Sequence, residues 1–294
     1  MADLLKILSV MFPVIFVASC GFLIAKLKLP FATNNINNIV NNWAMPSLVV
    51  SHMAAQHISF AQFYHMMLAA LVAVTCMLLI SAFFLKVMGL SIQAYVGGLS
   101  FSNVGNIGLP VVYFAFGSVG MSYALAFWIV VMVAIFTVGI WIQEGIFSFS
   151  KLLRTPNIYA AVIGICLIST DLTLPKYLEN ALSLLGGATI PLMLLTLGFS
   201  LAHLRFLNLV RGCYLSVFHL SMALALLLVL LQIFTFSPIE KGAFILEMLM
   251  PTSVYAYLLS DRYTPQYAED VASMVMFSTL FSIVTLPIAL IVVL

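Results

Sequence analysis

The chain has 294 residues, of which 64% are hydrophobic and 7% charged, with a mean hydropathy of +1.20. Soluble domains carry about a quarter charged residues, so this composition excludes a water-soluble enzyme or binding module and indicates an all-α integral membrane protein with little mass outside the bilayer. The net charge of +2 is uninformative by itself, but there is no basic cluster to bind nucleic acid.

Apolar spans of about 20 residues, the length that crosses a bilayer, lie at 4–25, 36–55, 62–85, 93–117, 121–146, 156–170, 177–201, 209–234, 240–260 and 268–293. They predict ten transmembrane helices with no connection longer than about a dozen residues. The first span is long for a signal-peptide core and lacks a small-x-small cleavage site, so it reads as a retained helix. Pro46 and Pro191 are expected to kink or break the second and seventh helices. The sixth helix is short, and the fourth and ninth are interrupted.

The interruption in the fourth span is dense: Asn103, Gly105, Asn106, Gly108 and Pro110 fall within eight positions of the stretch Ser100 to Gly117. In water such a cluster would be a loop, but here apolar residues flank it on both sides. Non-helical backbone at membrane depth must be buried in protein or line a cavity. A second interruption lies at Met250-Pro251-Thr252-Ser253. Paired broken helices in the two halves of a chain are the best sequence pointer to a transporter binding site.

Lys26, Lys28, Lys86, Lys151, Arg154, Arg205, Arg211 and Arg262 fall in one set of alternate connections, against Lys6, Lys176 and Lys241 in the other. The positive-inside rule makes the richer set cytoplasmic, with both termini outside. The halves also repeat. Pro13, Gly21, Pro30, Pro46 and Pro110 recur as Pro156, Gly164, Pro175, Pro191 and Pro251, shifted by 141 to 145 positions. Five helices per copy is an odd number, so the second copy enters the membrane inverted. The first repeat is assigned to 1–147, a cytoplasmic linker to 148–155 and the second, inverted repeat to 156–294.

Ser102-Asn103-Val104-Gly105-Asn106-Ile107-Gly108-Leu109-Pro110 with Phe116-Gly117 resembles the auxin efflux carrier family. So do Arg154-Thr155-Pro156, Ile190-Pro191 through Leu197-Gly198, and Met250-Pro251-Thr252 with Arg262-Tyr263. The resemblance covers essentially the whole chain and points to a compact, prokaryotic-type member. It implies that broken helices 4 and 9 cross near the midplane. It also implies a scaffold of helices 1, 2, 6 and 7 beside a moving domain of helices 3–5 and 8–10, and a homodimer as a partner state. Members carry organic anions, with auxin, malate and malonate among the known classes.

An anion suits the broken helices. Pro110 and Pro251 are expected in the first turns of two new half-helices, whose N-termini would offer free N–H groups and about half a positive charge each. Asn103 and Asn106 can donate amide hydrogens without the cost of a buried formal charge. Gly105 and Gly108 leave the backbone bare, and Thr252, Ser253 and Tyr255 add hydroxyls from the other break. Glu247, one turn before Pro251, has three readings: a group for a coupling proton, a structural hydrogen bond to an amide such as Asn106, or a repulsive filter against dianions.

Blander readings go to the rest. His219 is expected to bond a neighbouring helix, and Glu144 to pair with Lys151 or Arg154. His52, His57 and His65 lack the spacing of one helical metal face, and Cys20, Cys76, Cys166 and Cys213 lack any CxxC pattern, so no metal is expected. No Walker-type loop is present and no cofactor is expected. The sequence reads as a secondary carrier of a mono- or dicarboxylate in the cell membrane (the inner one in a Gram-negative cell), moving its crossed helices against a scaffold. A sodium-coupled carrier resembling the bile acid symporters is the nearest rival; an intramembrane enzyme or a channel would belong to another class.

Overall fold

The structure is a computed structural model that describes residues 2–145, 149–170, 172–204 and 208–294. Among these residues it is helical throughout, and the only β pairing is one isolated bridge. Arg205 and the side chain of Lys151, both counted in the basic set, lie outside the described residues.

The first long helix is α1, Ala2–Lys26. Then α2, Thr33–Ile39, passes through a π-helical turn at Val40–Ala44 into α3, Met45–Ala54. The long α4, Phe60–Val87, starts in a capping box in which Ser59 N–H donates to Gln62 Oε1 at 3.0 Å and Gln62 N–H to Ser59 Oγ at 3.4 Å. Next, α5, Ile92–Ser100, ends at the first break. A π turn at Val104–Gly108 leads into α6, Leu109–Ala134, which a second π turn at Ile135–Gly139 joins to α7, Ile140–Glu144.

The second half holds α8 (Phe149–Leu153), α9 (Pro156–Ser169), α10 (Lys176–Gly187), α11 (Thr189–His203) and α12 (Leu209–Ile233). It continues with α13 (Pro238–Met248), the second break, α14 (Val254–Tyr263) and α15 (Ala268–Val293).

Among the described residues six runs are long and apolar enough to cross a membrane, and α9 is a shorter apolar helix. One of the six, Val104–Glu144, has 41 residues. A straight helix of that length would reach about 62 Å, twice the hydrocarbon thickness. It is interrupted at Gly117, whose φ of 63° and ψ of −151° are open to glycine and not to a side-chain-bearing residue. Large apolar side chains such as Leu79, Phe83, Ile283 and Val292 are exposed on the long helices, as a lipid-facing surface requires.

The prolines at 46 and 191 act one turn upstream of themselves. The π turn at Val40–Ala44 immediately precedes the first turn of α3, where Pro46 sits, and Ala188 separates α10 from α11, whose third residue is Pro191. Proline removes an N–H and crowds the carbonyl four residues back, so the disturbed turn is the preceding one.

Helix pairing falls into two sets. In one, α1 packs on α11, and α3 packs on α9 and α10. In the other, α4 packs on α5 and α6, α13 on α6, and α12 on α15. Within the first set the backbones touch. A Cβ on Gly198 would stand 1.8 Å from the carbonyl oxygen of Ala18, and one on Gly21 would stand 2.0 Å from that of Leu195. Small residues that let helix backbones meet are the usual basis of packing in a membrane, where hydrophobic burial between helices drives little.

Several polar groups at helix ends are paired. His65 Nδ1 lies 2.6 Å from Glu240 Oε1, and Arg211 Nη1 donates to Asp270 Oδ2 at 2.9 Å and to Tyr95 Oη at 3.2 Å. Glu144 receives the hydroxyl of Tyr263.

Because the obstruction at Gly198 is main chain, Gly198→Val is expected to cost at least the 1–3 kcal/mol typical of overpacking, roughly. A thermal unfolding scan in detergent should show a clearly lower Tm than wild type, with Gly187→Val, where a Cβ meets nothing within 4 Å, as the mild control.

Candidate functional site

The two breaks pair with each other. The residues between α5 and the first π turn run antiparallel to those between α13 and α14, with Ser102 opposite Thr252. Asn103 N–H donates to the Pro251 carbonyl at 2.6 Å, and Ser253 N–H donates to the Phe101 carbonyl at 2.9 Å. Thr252 is fully buried behind this pair; its N–H donates to Ser278 Oγ at 3.1 Å and its hydroxyl to the Gly98 carbonyl at 3.1 Å. From α12, His219 places Nδ1 2.8 Å from the Leu99 carbonyl and Nε2 3.3 Å from the Met250 carbonyl. The expected bond from His219 to a neighbouring helix is therefore made: the ring stands between the ends of both broken helices, and its single N–H in the neutral form serves one of the two carbonyls.

The expected place of Pro251 needs correction. Pro110 does occupy the first turn of α6, but α14 begins at Val254 with Ser253 as its N-cap. Pro251 instead belongs to the extended break. There its missing N–H is no loss, and its carbonyl supplies one of the two bonds that join the breaks.

Each second half-helix opens at the crossing. Asn103 is the N-cap of the first, its carbonyl accepting the N–H groups of Ile107 and Gly108 at 3.2 and 3.1 Å. The first N–H groups of a helix have no intrahelical acceptor, and here they belong to Val104, Gly105 and Asn106. On the other side the Ser253 hydroxyl oxygen accepts the N–H of Tyr255 at 3.2 Å.

These starts face a cavity of about 410 Å³. The crossing contributes Ser102, Asn103, Gly105, Asn106, Ser253 and Tyr255 to its wall. Thus six of the polar and glycine residues of the two breaks share one space, whereas Gly108, Pro110, Pro251 and Thr252 lie outside its lining. Gly105 is bare for a reason: a Cβ there would stand 3.1 Å from Nε1 of Trp128, another lining residue.

The opposite wall was not expected from the sequence. It brings Asn37, Asn41 and Asn42 from α2 and its π turn, Asn157 from α9, and Met193 and Thr196 from α11. Arg154, in the connection before α9, is exposed and also lines the cavity, while none of the described lining residues is acidic. The sequence did carry a signal in the run Asn34-Asn35-Ile36-Asn37-Asn38-Ile39-Val40-Asn41-Asn42. Asn37 and Asn41 stand four apart, which puts them on one helical face.

Two polar atoms in the lining are buried without a hydrogen-bond partner among the described residues: Asn103 Nδ2 and Asn157 Oδ1. Unsatisfied buried amides are uncommon and mark places where a ligand or water completes the bonding.

Glu247 is 0% exposed and does not line the cavity. Neither of its oxygens has a hydrogen-bond partner among the described residues, so the structural bond to an amide such as Asn106, one of the three readings, is not made. Asn106 instead contributes to the cavity wall, where its amide remains available to a ligand.

Residues 6–147 and, again, 143–290 match the model of a family described as membrane transport protein. The chain belongs to this auxin efflux carrier-like family. An uncharacterized transporter of Methanocaldococcus jannaschii is 24% identical over 277 residues, spanning 85% of this chain and 86% of that one. Family and apolar helices together make the chain a multi-pass membrane transporter.

Accessibility gives a test of the cavity. With Cys20, Cys76, Cys166 and Cys213 replaced, Asn41→Cys and Asn106→Cys should react rapidly with a small water-soluble thiol reagent. Ser278→Cys, which is 5% exposed behind the crossing, should resist. Equal reactivity at all three positions would contradict the arrangement.

Proposed function

We propose that this transporter is a secondary carrier of a small organic anion, a mono- or dicarboxylate, across the cell membrane by alternating access. One observation carries the reading: two half-helix N-termini joined at their starts face a cavity lined, among the described residues, by an unpartnered asparagine amide, an arginine and no acidic residue. Each N-terminus contributes about half a positive charge, and the first N–H groups point where a carboxylate would lie. Asn103 and Asn106 add neutral donors, as does the hydroxyl of Tyr255, and Arg154 attracts anions at the exposed end. Trp128 and Phe136 give the remaining wall an apolar character suited to the organic part of a substrate.

Ten spans in two inverted repeats complete the proposal. The family matches on 6–147 and 143–290 support two units of similar length, and the crossed breaks support the pseudo-symmetric plan. The helix pairing supports a scaffold of α1, α2–α3, α9 and α10–α11 beside a mobile set containing both broken helices. Their breaks are bonded to each other, so they would move as one body in an elevator-type cycle. By the positive-inside rule the Arg154 side is cytoplasmic, the cavity opens inward and both termini lie outside.

Counterflow of radiolabelled malate, malonate and an indole carboxylate in proteoliposomes tests this reading. Wild type should show saturable exchange. Asn103→Ala should raise KM by roughly ten- to a hundredfold, the weight of a lost hydrogen bond to a charged group. Arg154→Gln should weaken uptake most at low salt. Unchanged kinetics in Asn103→Ala would remove the anion from the crossing, and absence of exchange with every carboxylate would sink the substrate class. A strict requirement for sodium would favour the symporter rival.

A further inference from the structure

Glu247 sits in the last turn of α13, and its position is set by a glycine. A Cβ on Gly108 would fall 2.2 Å from Oε2 of Glu247 and 2.8 Å from its carboxyl carbon. Gly108 closes the π turn that opens the second half of the first broken helix. The carboxyl group therefore lies on the backbone at the positive end of the half-helix that faces the cavity.

Among the described residues no charge compensates it. On the helices packed against α13, His65 of α4 is held by Glu240, and Arg211 of α12 by Asp270 of α15. His219 of α12 directs both ring nitrogens to main-chain carbonyls, and Tyr123 of α6 faces Ser237 at 3.5 Å. A buried carboxylate with neither a counter-charge nor a hydrogen-bond donor is prohibitively costly, whereas a neutral carboxylic acid is tolerated.

We propose that Glu247 carries the coupling proton of a proton–anion symport. In this arrangement the group is a carboxylic acid, sealed from both the cavity and lipid. At the stage of the cycle in which the crossing, its internal bonds intact, brings the carboxyl to water, the O–H bond breaks, the proton passes to water and the electron pair stays on the carboxylate. The resulting anion lies at the same half-helix terminus that receives the substrate and competes with it for the same field. Protonation of Glu247 and binding of the substrate anion thus favour each other, and by linkage each promotes the other to the same extent. Proton and anion bind together and leave together. The proposal rests on the crossing being the anion site.

The test compares wild type with Glu247→Gln, the neutral isostere, in proteoliposomes. An inward proton gradient should accelerate net carboxylate uptake by wild type. Glu247→Gln should keep counterflow and lose all acceleration by the gradient. Gradient-driven uptake in Glu247→Gln overturns the proposal. So does loss of counterflow in folded Glu247→Gln, because a neutral group there should still exchange. Infrared spectroscopy on detergent-solubilised wild type supplies a readout that needs no substrate. A protonated-carboxyl C=O band, sensitive to deuterium exchange and missing from Glu247→Gln, is expected at neutral pH. Its absence overturns the proposal even if anions are transported. Its presence in protein that moves no carboxylate means that the anion reading has failed, and the symport with it.

Discussion

Breaking a helix inside a membrane leaves carbonyls at the end of one half and N–H groups at the start of the next, with no water to receive them. Each such group left bare in hydrocarbon costs several kcal/mol. In this chain each break is completed by the other: Asn103 bonds Pro251, Ser253 bonds Phe101, and His219 reaches the carbonyls of Leu99 and Met250. Neither interruption would be tolerated alone. The constraint ties residues near 100 to residues near 250, and the long helices around the crossing form the wall that keeps these bonds dry. The burial of α6 around Leu109–Val112 and of α13 from Gly242 onward follows from the same requirement.

The crossing also sorts its polar groups. Its inner side consumes carbonyl oxygens, which bond to His219, to the Thr252 hydroxyl and to the opposite break. The side facing the cavity keeps the free N–H groups and the Asn103 amide. Backbone polarity alone therefore gives the cavity a positive character at a depth where a lysine or arginine would be costly. The formal charge is placed at the exposed end, on Arg154, where water offsets it. A gradient of that kind, with full charge at the entrance and dipoles at the end, is what the proposed anion substrate would need to enter without being trapped.

Composition and span length made the class and the approximate helix positions legible, because transfer to lipid selects whole segments. Clustered Asn, Gly and Pro likewise exposed both breaks. The place of Pro251 was not legible, because whether a proline begins a helix or joins an extended pair depends on a partner, Asn103, 148 residues away in the chain. The scaffold wall escaped for a related reason: an asparagine run at 34–42 is ambiguous between a polar helix end and a cavity lining until α9 and α11 are packed beside it. Glu247 was conspicuous as an intramembrane carboxylate. Its lack of a partner was not, since that is a property of everything around it.

Glycine placement separates what is rigid from what has room to move. Gly21 and Gly198 bring α1 and α11 into main-chain contact, where neither helix can slide without collision. The boundary between the two helix sets is different along the cavity, where Asn, Met and Thr side chains face Asn103, Gly105 and Asn106 across open space. A packed interface of interlocked backbones has one good register, whereas side chains across a cavity can re-pair in more than one. The alternating-access reading needs both: a fixed frame, and a crossing that keeps its internal bonds while exchanging neighbours. The Glu247 carboxyl belongs to the crossing through Gly108, so in the proposed cycle a proton held there would travel with the broken helices and not with the frame.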